Sequence, residues 1–214
     1  FRSAGLVRAV YQIYRLRRPC RAGVAFRGYF WGDMSIFELF ESKVRELIGT
    51  ESLPKVLVAL SGGADSTAML FLFLRYREKY PMDLCALHVH HGIRGSEADR
   101  DLDFCRELCQ RQKVSFRSAF VQAPEYAAKE KKSLEEAARI LRYRELERVA
   151  EEERCTHIAT AHNADDQLET LLFRLVRGCG TKGAAGIPEK RGRFLRPMLS
   201  FTKEEILAFC EEEK

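Results

Sequence analysis

The sequence predicts an α/β fold with about five parallel strands and helices on both faces of the sheet. Three observations predict it. Short, continuously apolar runs recur near residues 55–60, 83–90, 115–121, 156–160 and 194–196. Segments with helical spacing separate them, and strands that are apolar throughout belong to a sheet covered on both faces. The first run stops at Ser61-Gly62-Gly63-Ala64-Asp65-Ser66 and passes directly into a helical run. Strand, glycine turn and helix together aim backbone N–H groups and a helix N-terminus at a phosphate.

Residues 35–49 place Ile36, Phe37, Leu39, Phe40, Val44, Leu47 and Ile48 at helical spacing. The strand at 55–60 leads to a helix that ends near Tyr80, before Pro81. A strand at 83–90, a helix at 97–112 and a strand at 115–121 follow, and Pro124 opens a charged connector. Ser133, with Glu136 three residues on, reads as a capping box that starts a long helix at 133–152. A strand at 156–160 precedes a helix at 163–177, in which Leu168, Leu171, Leu172, Leu175 and Val176 form the expected buried stripe. A glycine-rich loop over 178–192, a short strand near 194–196 and a helix at 202–213 complete the order. In such sheets ligands sit outside the C-terminal strand ends. The unusual residues collect there, at 61–66, 88–94 and 161–169.

Net charge is +5 over 214 residues, but residues 1–33 hold seven Arg and a single acid, Asp33. That places +6 in the first 33 residues and leaves −1 on 34–214, so bulk charge does not make the larger part a nucleic-acid binder. The expected division is an atypical Arg-rich extension at 1–33 and a domain at 34–214. The extension reads as translated upstream sequence or an expression remnant, with a transit peptide or an RNA-contacting arm as alternatives. No window approaches 18 consecutive apolar residues, so no membrane span is expected. Seven cysteines without a C-x-x-C pair read as reduced thiols in a cytoplasmic protein.

Gly62 and Gly63 let the backbone approach an anion, and Ser61, Ser66 and Thr67 add hydroxyls. No Lys follows, so this is not the lysine-bearing loop that grips β and γ phosphates. Asp65 inside an anion nest is accounted for by Mg2+ bridging it to phosphate oxygens. A plain capped turn is the alternative, and it leaves the paired glycines and serines unexplained.

His88, His90 and His91 close the second strand. They read as hydrogen-bonding histidines beside a nucleotide, with a metal cluster as the alternative, and Gly92 as a close backbone approach to an adenine edge. Arg94 is either a phosphate contact or solvated. Asn163 can cap its helix with Asp165 and Asp166 in the first turn and Glu169 one turn later. That is more acid than the macrodipole uses, and it suits Mg2+ or a cationic substrate. Arg139 either pairs with Glu135 on the surface or offsets phosphate charge in a transition state. Residues 178–183 match G-x-G-x-x-G but follow a helix, so they read as a substrate-facing loop bearing Lys182 or as a plain helix end.

SGGADS after a buried strand resembles the pyrophosphate-loop motif of the N-type ATP pyrophosphatases. With HVHHGIRGSEAD, EEAARILRYRE, TAHNADDQLETLLFRLVRGCG and GAAGIP in that order, residues 36–214 resemble the tRNA(Ile)-lysidine synthetase family. Related tRNA thiolases carry C-x-x-C cysteines for an iron–sulfur cluster, and this chain has no such pair. The resemblance implies a Rossmann-like adenine-nucleotide-binding domain that uses ATP and Mg2+. It implies two partners, tRNA(Ile) with a CAU anticodon and free L-lysine. The reaction it implies is a carbon–nitrogen ligation at C2 of the wobble cytidine through an adenylated intermediate. Nucleotide contacts are then expected from Ser61, Gly62, Gly63, Ala64, Asp65, Ser66, His90, Gly92 and His162. Catalytic roles fall to Asp65, Arg139 and Asp166, lysine contacts to Asp166 and Glu169, and Mg2+ to Asp65. Members of that family continue beyond the position of Lys214, so the domain is expected to be truncated at its C-terminus. The oligomeric state stays open, a homodimer included.

A chain starting at Met34 is expected to fold and to bind ATP as tightly as this one. Equilibrium nucleotide binding checks this, and lost binding would make residues 1–33 part of the site.

Overall fold

The computed structural model describes residues 34–49, 53–93, 95–176 and 186–213. The Arg-rich extension, Arg94 and the loop bearing Lys182 lie outside the described residues. Helix α1 (Ile36–Ile48) starts at a reciprocal capping box between Ser35 and Glu38. Strand β1 (Lys55–Ala59) leads into α2 (Ala64–Lys79), and β2 (Asp83–His90) into α3 (Ser96–Arg111). Strand β3 (Ser115–Phe120) is followed by α4 (Ala123–Glu130) and α5 (Leu134–Glu152), and β4 (His157–Ala159) by α6 (Ala164–Val176). Strands β5 (Lys190–Arg191) and β6 (Phe194–Leu195) precede α7 (Lys203–Glu212).

The sheet order is β3-β2-β1-β4-β6-β5. β3, β2, β1, β4 and β6 run parallel, and Leu57 on β1 stands between Cys85 of β2 and Ile158 of β4. The expected parallel α/β sheet is therefore present. Alternate strand residues face opposite layers. Val56, Val58, Leu84 and Ala86 pack with residues of α1, α2, α3 and α7, whereas Leu57, Cys85, Leu87 and Ile158 pack with Leu146, Val149 and Ala150 of α5. No helix among the described residues is long and apolar enough to cross a membrane.

The structure corrects four expectations. β5 arises within the region expected to be loop and is antiparallel to β6; Gly192, at φ +58°, makes the tight turn between them. Pro124 opens α4 instead of a connector, since a proline in the first helical turn gives up an N–H that has no helical partner. At Ser133 only half of the capping box forms. Its hydroxyl accepts the Glu136 N–H, while the Glu136 carboxylate takes Lys132 Nζ at 2.5 Å. The stripe on α6 is not buried: Leu168, Leu171 and Leu172 are half-buried, and Leu175 and Val176 are 61% and 73% exposed. Periodicity identifies the apolar face of a helix but not how much protein stands against it.

Phe73 of α2 is fully buried and meets Phe40 of α1 edge-on, with ring centroids 5.0 Å apart. Phe73→Ala is expected to cost about 3–5 kcal/mol of stability, read from the urea midpoint.

Candidate functional site

The loop between β1 and α2 is closed by its own serines. Ser66 Oγ accepts the Ser61 N–H at 3.1 Å, lies 3.0 Å from Ser61 Oγ and donates to the Gly63 carbonyl at 3.0 Å. Gly62 is required twice over. Its φ is +89°, and a Cβ there would come within 3.2 Å of the Asp101 Cβ on α3. The first-turn N–H groups of α2 have no intrahelical acceptor, so this end of the helix can receive an anion. Thr67 Oγ1 is buried there without a hydrogen-bond partner among the described residues.

Asp65, in that first turn, is held by Lys203 Nζ at 2.5 Å. Lys203 begins α7, where the helix dipole disfavours a cation, and the Asp65 carboxylate offsets that cost. The acid turn of α6 lies alongside. Asn163 Oδ1 accepts the N–H groups of Asp165 at 2.9 Å and Asp166 at 3.1 Å, and Asp166 Oδ2 accepts the Asn163 N–H at 2.9 Å. One oxygen of Asp166 is therefore committed to capping. Burial raises the Asp165 pKa; the Lys203 N–H that it accepts opposes this, and Glu204, Asp166 and Asp65 reinforce it. The N-termini of α2, α6 and α7 thus meet at one place, and the Ala164 N–H donates to the Phe201 carbonyl at 2.8 Å across that junction. Glu169 is exposed one turn along α6. Gln167 is bonded on both sides to the backbone of Ile187, which ties α6 to the segment before β5.

His88 is a core residue: its Nδ1 lies 3.0 Å from the Leu60 carbonyl and 3.5 Å from Cys105 Sγ, and burial lowers its pKa. His90 Nδ1 accepts the Gly92 N–H at 3.2 Å, and its ring lies 4.9 Å from that of Phe120. The close approach expected at Gly92 is to the chain itself. At φ +68°, a Cβ there would meet the Val121 carbonyl at 3.3 Å and Gln122 Oε1 at 3.2 Å. His162 Nδ1 lies 3.0 Å from Thr160 Oγ1. Burial pushes the His162 pKa down to about 4, assisted by Arg196, Arg142 and Arg139. His91 is pushed to about 4 in the same way, by burial and then by Arg142. Arg139 lies over the Tyr143 ring at 5.1 Å, on the exposed side of α5.

The structure therefore puts residues 61–66, His90, Gly92, His162, Asp166 and Glu169 along one edge of the sheet, with Arg139 close enough to act on His162. It adds four residues that sequence reasoning passed over or left in the background: Lys203, Asp101, Arg142 and Arg196. Arg196 follows β6 directly, at a strand tip, and its Nη1 donates to the Pro188 carbonyl at 2.8 Å. Among the described residues no group of three or more His, Cys, Asp or Glu is placed to hold a metal alone. Asp65, one of whose oxygens Lys203 takes, is the carboxylate of the loop, and a single carboxylate suits Mg2+, which takes one or two and completes its shell with phosphate oxygens and water.

A family model described as the PP-loop domain matches residues 37–214. Curated tRNA(Ile)-lysidine synthases are similar to this chain. The protein of Clostridium acetobutylicum is 38% identical over 161 residues, 75% of this chain and 35% of its own length. That of Geobacillus kaustophilus is 37% identical over 178 residues, 79% and 38% of the two chains. That of Chlorobaculum tepidum is 39% identical over 159 residues, 74% and 48%. The chain thus spans about a third to a half of the length of these relatives. Among solved structures, the U34-tRNA thiolase NcsA of Methanococcus maripaludis superposes with a TM-score of 0.69 at 23% identity, covering 91% of this chain and 71% of that one. The NMN synthetase of Francisella tularensis superposes with a TM-score of 0.56 at 17% identity, covering 84% and 71%. These two likenesses are of fold.

Burial pushes His91 and His162 down from their ordinary value of 6.5 to about 4 in the folded chain. Below pH 6.5 the unfolded chain takes up protons that the folded chain refuses. Stability is therefore expected to fall as pH drops from about 6.5 towards 4. Urea unfolding across that range checks it, and His162→Gln should remove part of the slope.

Proposed function

The chain belongs to the PP-loop domain family, and from that premise we propose that it is the ATP-handling domain of a tRNA(Ile)-lysidine synthase. The proposed reaction joins free L-lysine to C2 of the wobble cytidine of tRNA(Ile) with a CAU anticodon, releasing pyrophosphate and AMP. The observation that carries this reading is the meeting of the serine-closed loop, the acid turn of α6 and the arginines of α5 at the C-terminal edge of the sheet. The names of the similar curated proteins support the choice of substrate.

In this reading ATP lies across the strand tips, with its adenine end towards His90 and Gly92 and its β and γ phosphates in the loop 61–66. The cytosine O2 attacks the α-phosphate, and pyrophosphate leaves into the N–H groups at the start of α2. Lys203 offsets its charge from the facing helix. An arginine of α5 offsets charge at the α-phosphate. The lysine ε-ammonium is taken by Asp166, through the oxygen not used in capping, and by Glu169. A carboxylate there accepts the proton as the amine attacks C2, and AMP leaves. Asp65 would hold Mg2+, which when bound neutralises phosphate charge.

ATP–pyrophosphate exchange, measured with and without lysine and a CAU-anticodon tRNA, tests the proposal. Exchange that depends on that tRNA is expected, and Asp65→Ala should abolish it; exchange retained in the variant would remove Asp65 from the site. ATP binding with no exchange under any condition would reduce the chain to a nucleotide-binding part.

A further inference from the structure

Resting on the proposed ATP reading, we infer that Arg142, and not Arg139, is the cation that binds the α-phosphate, the group that stays with the nucleotide after pyrophosphate leaves. Three arginines reach the strand tips, and they differ in what they have left to offer. Arg196 is partly committed to the chain: its Nη1 donates to the Pro188 carbonyl at 2.8 Å, while its Nε is buried without a hydrogen-bond partner among the described residues. Arg139 is exposed, with its guanidinium 5.1 Å from the centre of the Tyr143 ring. Arg142 differs from Arg139 in being half-buried, and from Arg196 in that its guanidinium gives no hydrogen bond to the chain among the described residues. Its Nε is buried and has no hydrogen-bond partner among the described residues. His91 Nδ1, Tyr143 Oη and Arg196 Nε share that condition. Buried polar groups left unmet in this way are uncommon and call for a partner.

The charges say what that ligand is. Arg142 feels Arg139 as a like charge and Asp166 as its opposing one, and one Asp166 oxygen is already bonded to the Asn163 N–H. His91 and His162 beside it are neutral near pH 7 and supply no negative charge. A half-buried guanidinium in such surroundings is short of an anion, and a charge withdrawn from water without compensation is costly. Phosphate matches the guanidinium fork in shape and charge. Asp166 fixes which phosphate. It is the acid proposed to receive the lysine, so a cation within its electrostatic reach stands beside the reacting carbon and not at the pyrophosphate end.

Equilibrium binding of adenosine, AMP and pyrophosphate to the full chain tests this, with Arg142→Met, Arg142→Lys and Arg139→Met as variants. Arg142→Met is expected to weaken AMP about 10–100-fold, as befits a lost charged hydrogen bond, and to leave adenosine unchanged. Arg142→Lys keeps charge and stem, should lose less, and serves where the Met variant does not fold. Arg139→Met should lose less than Arg142→Met. Equal losses for adenosine and AMP would make Arg142 a structural residue and overturn the inference, as would a larger AMP loss in Arg139→Met. A wild-type chain that bound none of the three ligands would instead overturn the ATP reading itself, and the inference with it.

Discussion

Parallel pairing of β2, β1 and β4 is the constraint on which the rest depends. Strands paired this way finish on the same edge, and two of them pass there into helices whose N-termini open on that edge. The register sets Leu57 level with Cys85 and Ile158, so the loop 61–66 and the turn at Asn163 emerge side by side although about a hundred residues separate them. Each helix start carries partial positive charge. The sequence answers with acids in every such turn: Asp65 on α2, Asp165 and Asp166 on α6, Glu204 and Glu205 on α7. Acids and phosphate-seeking N–H groups are therefore placed together by topology before any ligand is considered.

The third helix start would drift from the other two if α7 were held only at Lys203. It is held along its length. Arg75 of α2 pairs with Glu213 and lies 5.1 Å from the centre of the Phe209 ring, and Cys210 Sγ donates to the Ala64 carbonyl at 3.6 Å. Ile206 and Phe209 are buried in the same layer as Phe40, Phe73 and Val56. The position of Lys203 against Asp65 is thus set by hydrophobic packing. Coulomb attraction alone between two half-exposed side chains is weak.

The strand-loop-helix unit at 55–79 was legible because each of its signals is local: an apolar run, two glycines, then helical spacing. The gathering of residues 61–66, 88–93 and 161–169 at one edge followed from the rule for parallel sheets. Adjacency of β1 and β4 was not legible, since pairing partners are chosen across the chain and leave no mark on either segment. Lys203 escaped notice because, in sequence, it is one more residue after a Thr202 cap. A signal did exist: a cation at a helix start runs against the dipole and calls for a partner elsewhere. Arg196 carried a signal too, since it stands at the tip of the last apolar run, where a parallel sheet presents its ligand-facing residues. Arg139 drew attention over Arg142 because spacing offered it a partner in Glu135, whereas depth of burial is set by the packing of α5 on the sheet. The histidine cluster divides for the same reason: His88 is consumed by Leu60 and Cys105, and His91 and His162 are left neutral by burial.

That neutrality bears on how the edge holds charge. Were His91 and His162 protonated near pH 7, two more cations would crowd Arg139, Arg142 and Arg196, and the cost of assembling them would fall on the fold. Burial removes those two charges and leaves the positive potential to the arginines. Anion attraction at the edge then persists across neutral pH without dependence on histidine protonation. The histidines keep what a neutral ring offers, a donor and an acceptor at fixed places. The acid side is arranged in a complementary way. Asp166 gives one oxygen to its own cap and keeps one, and Asp65 meets a lysine on a neighbouring helix. Fixed arginines on one flank and partly committed carboxylates on the other give the edge both signs of charge at separate places.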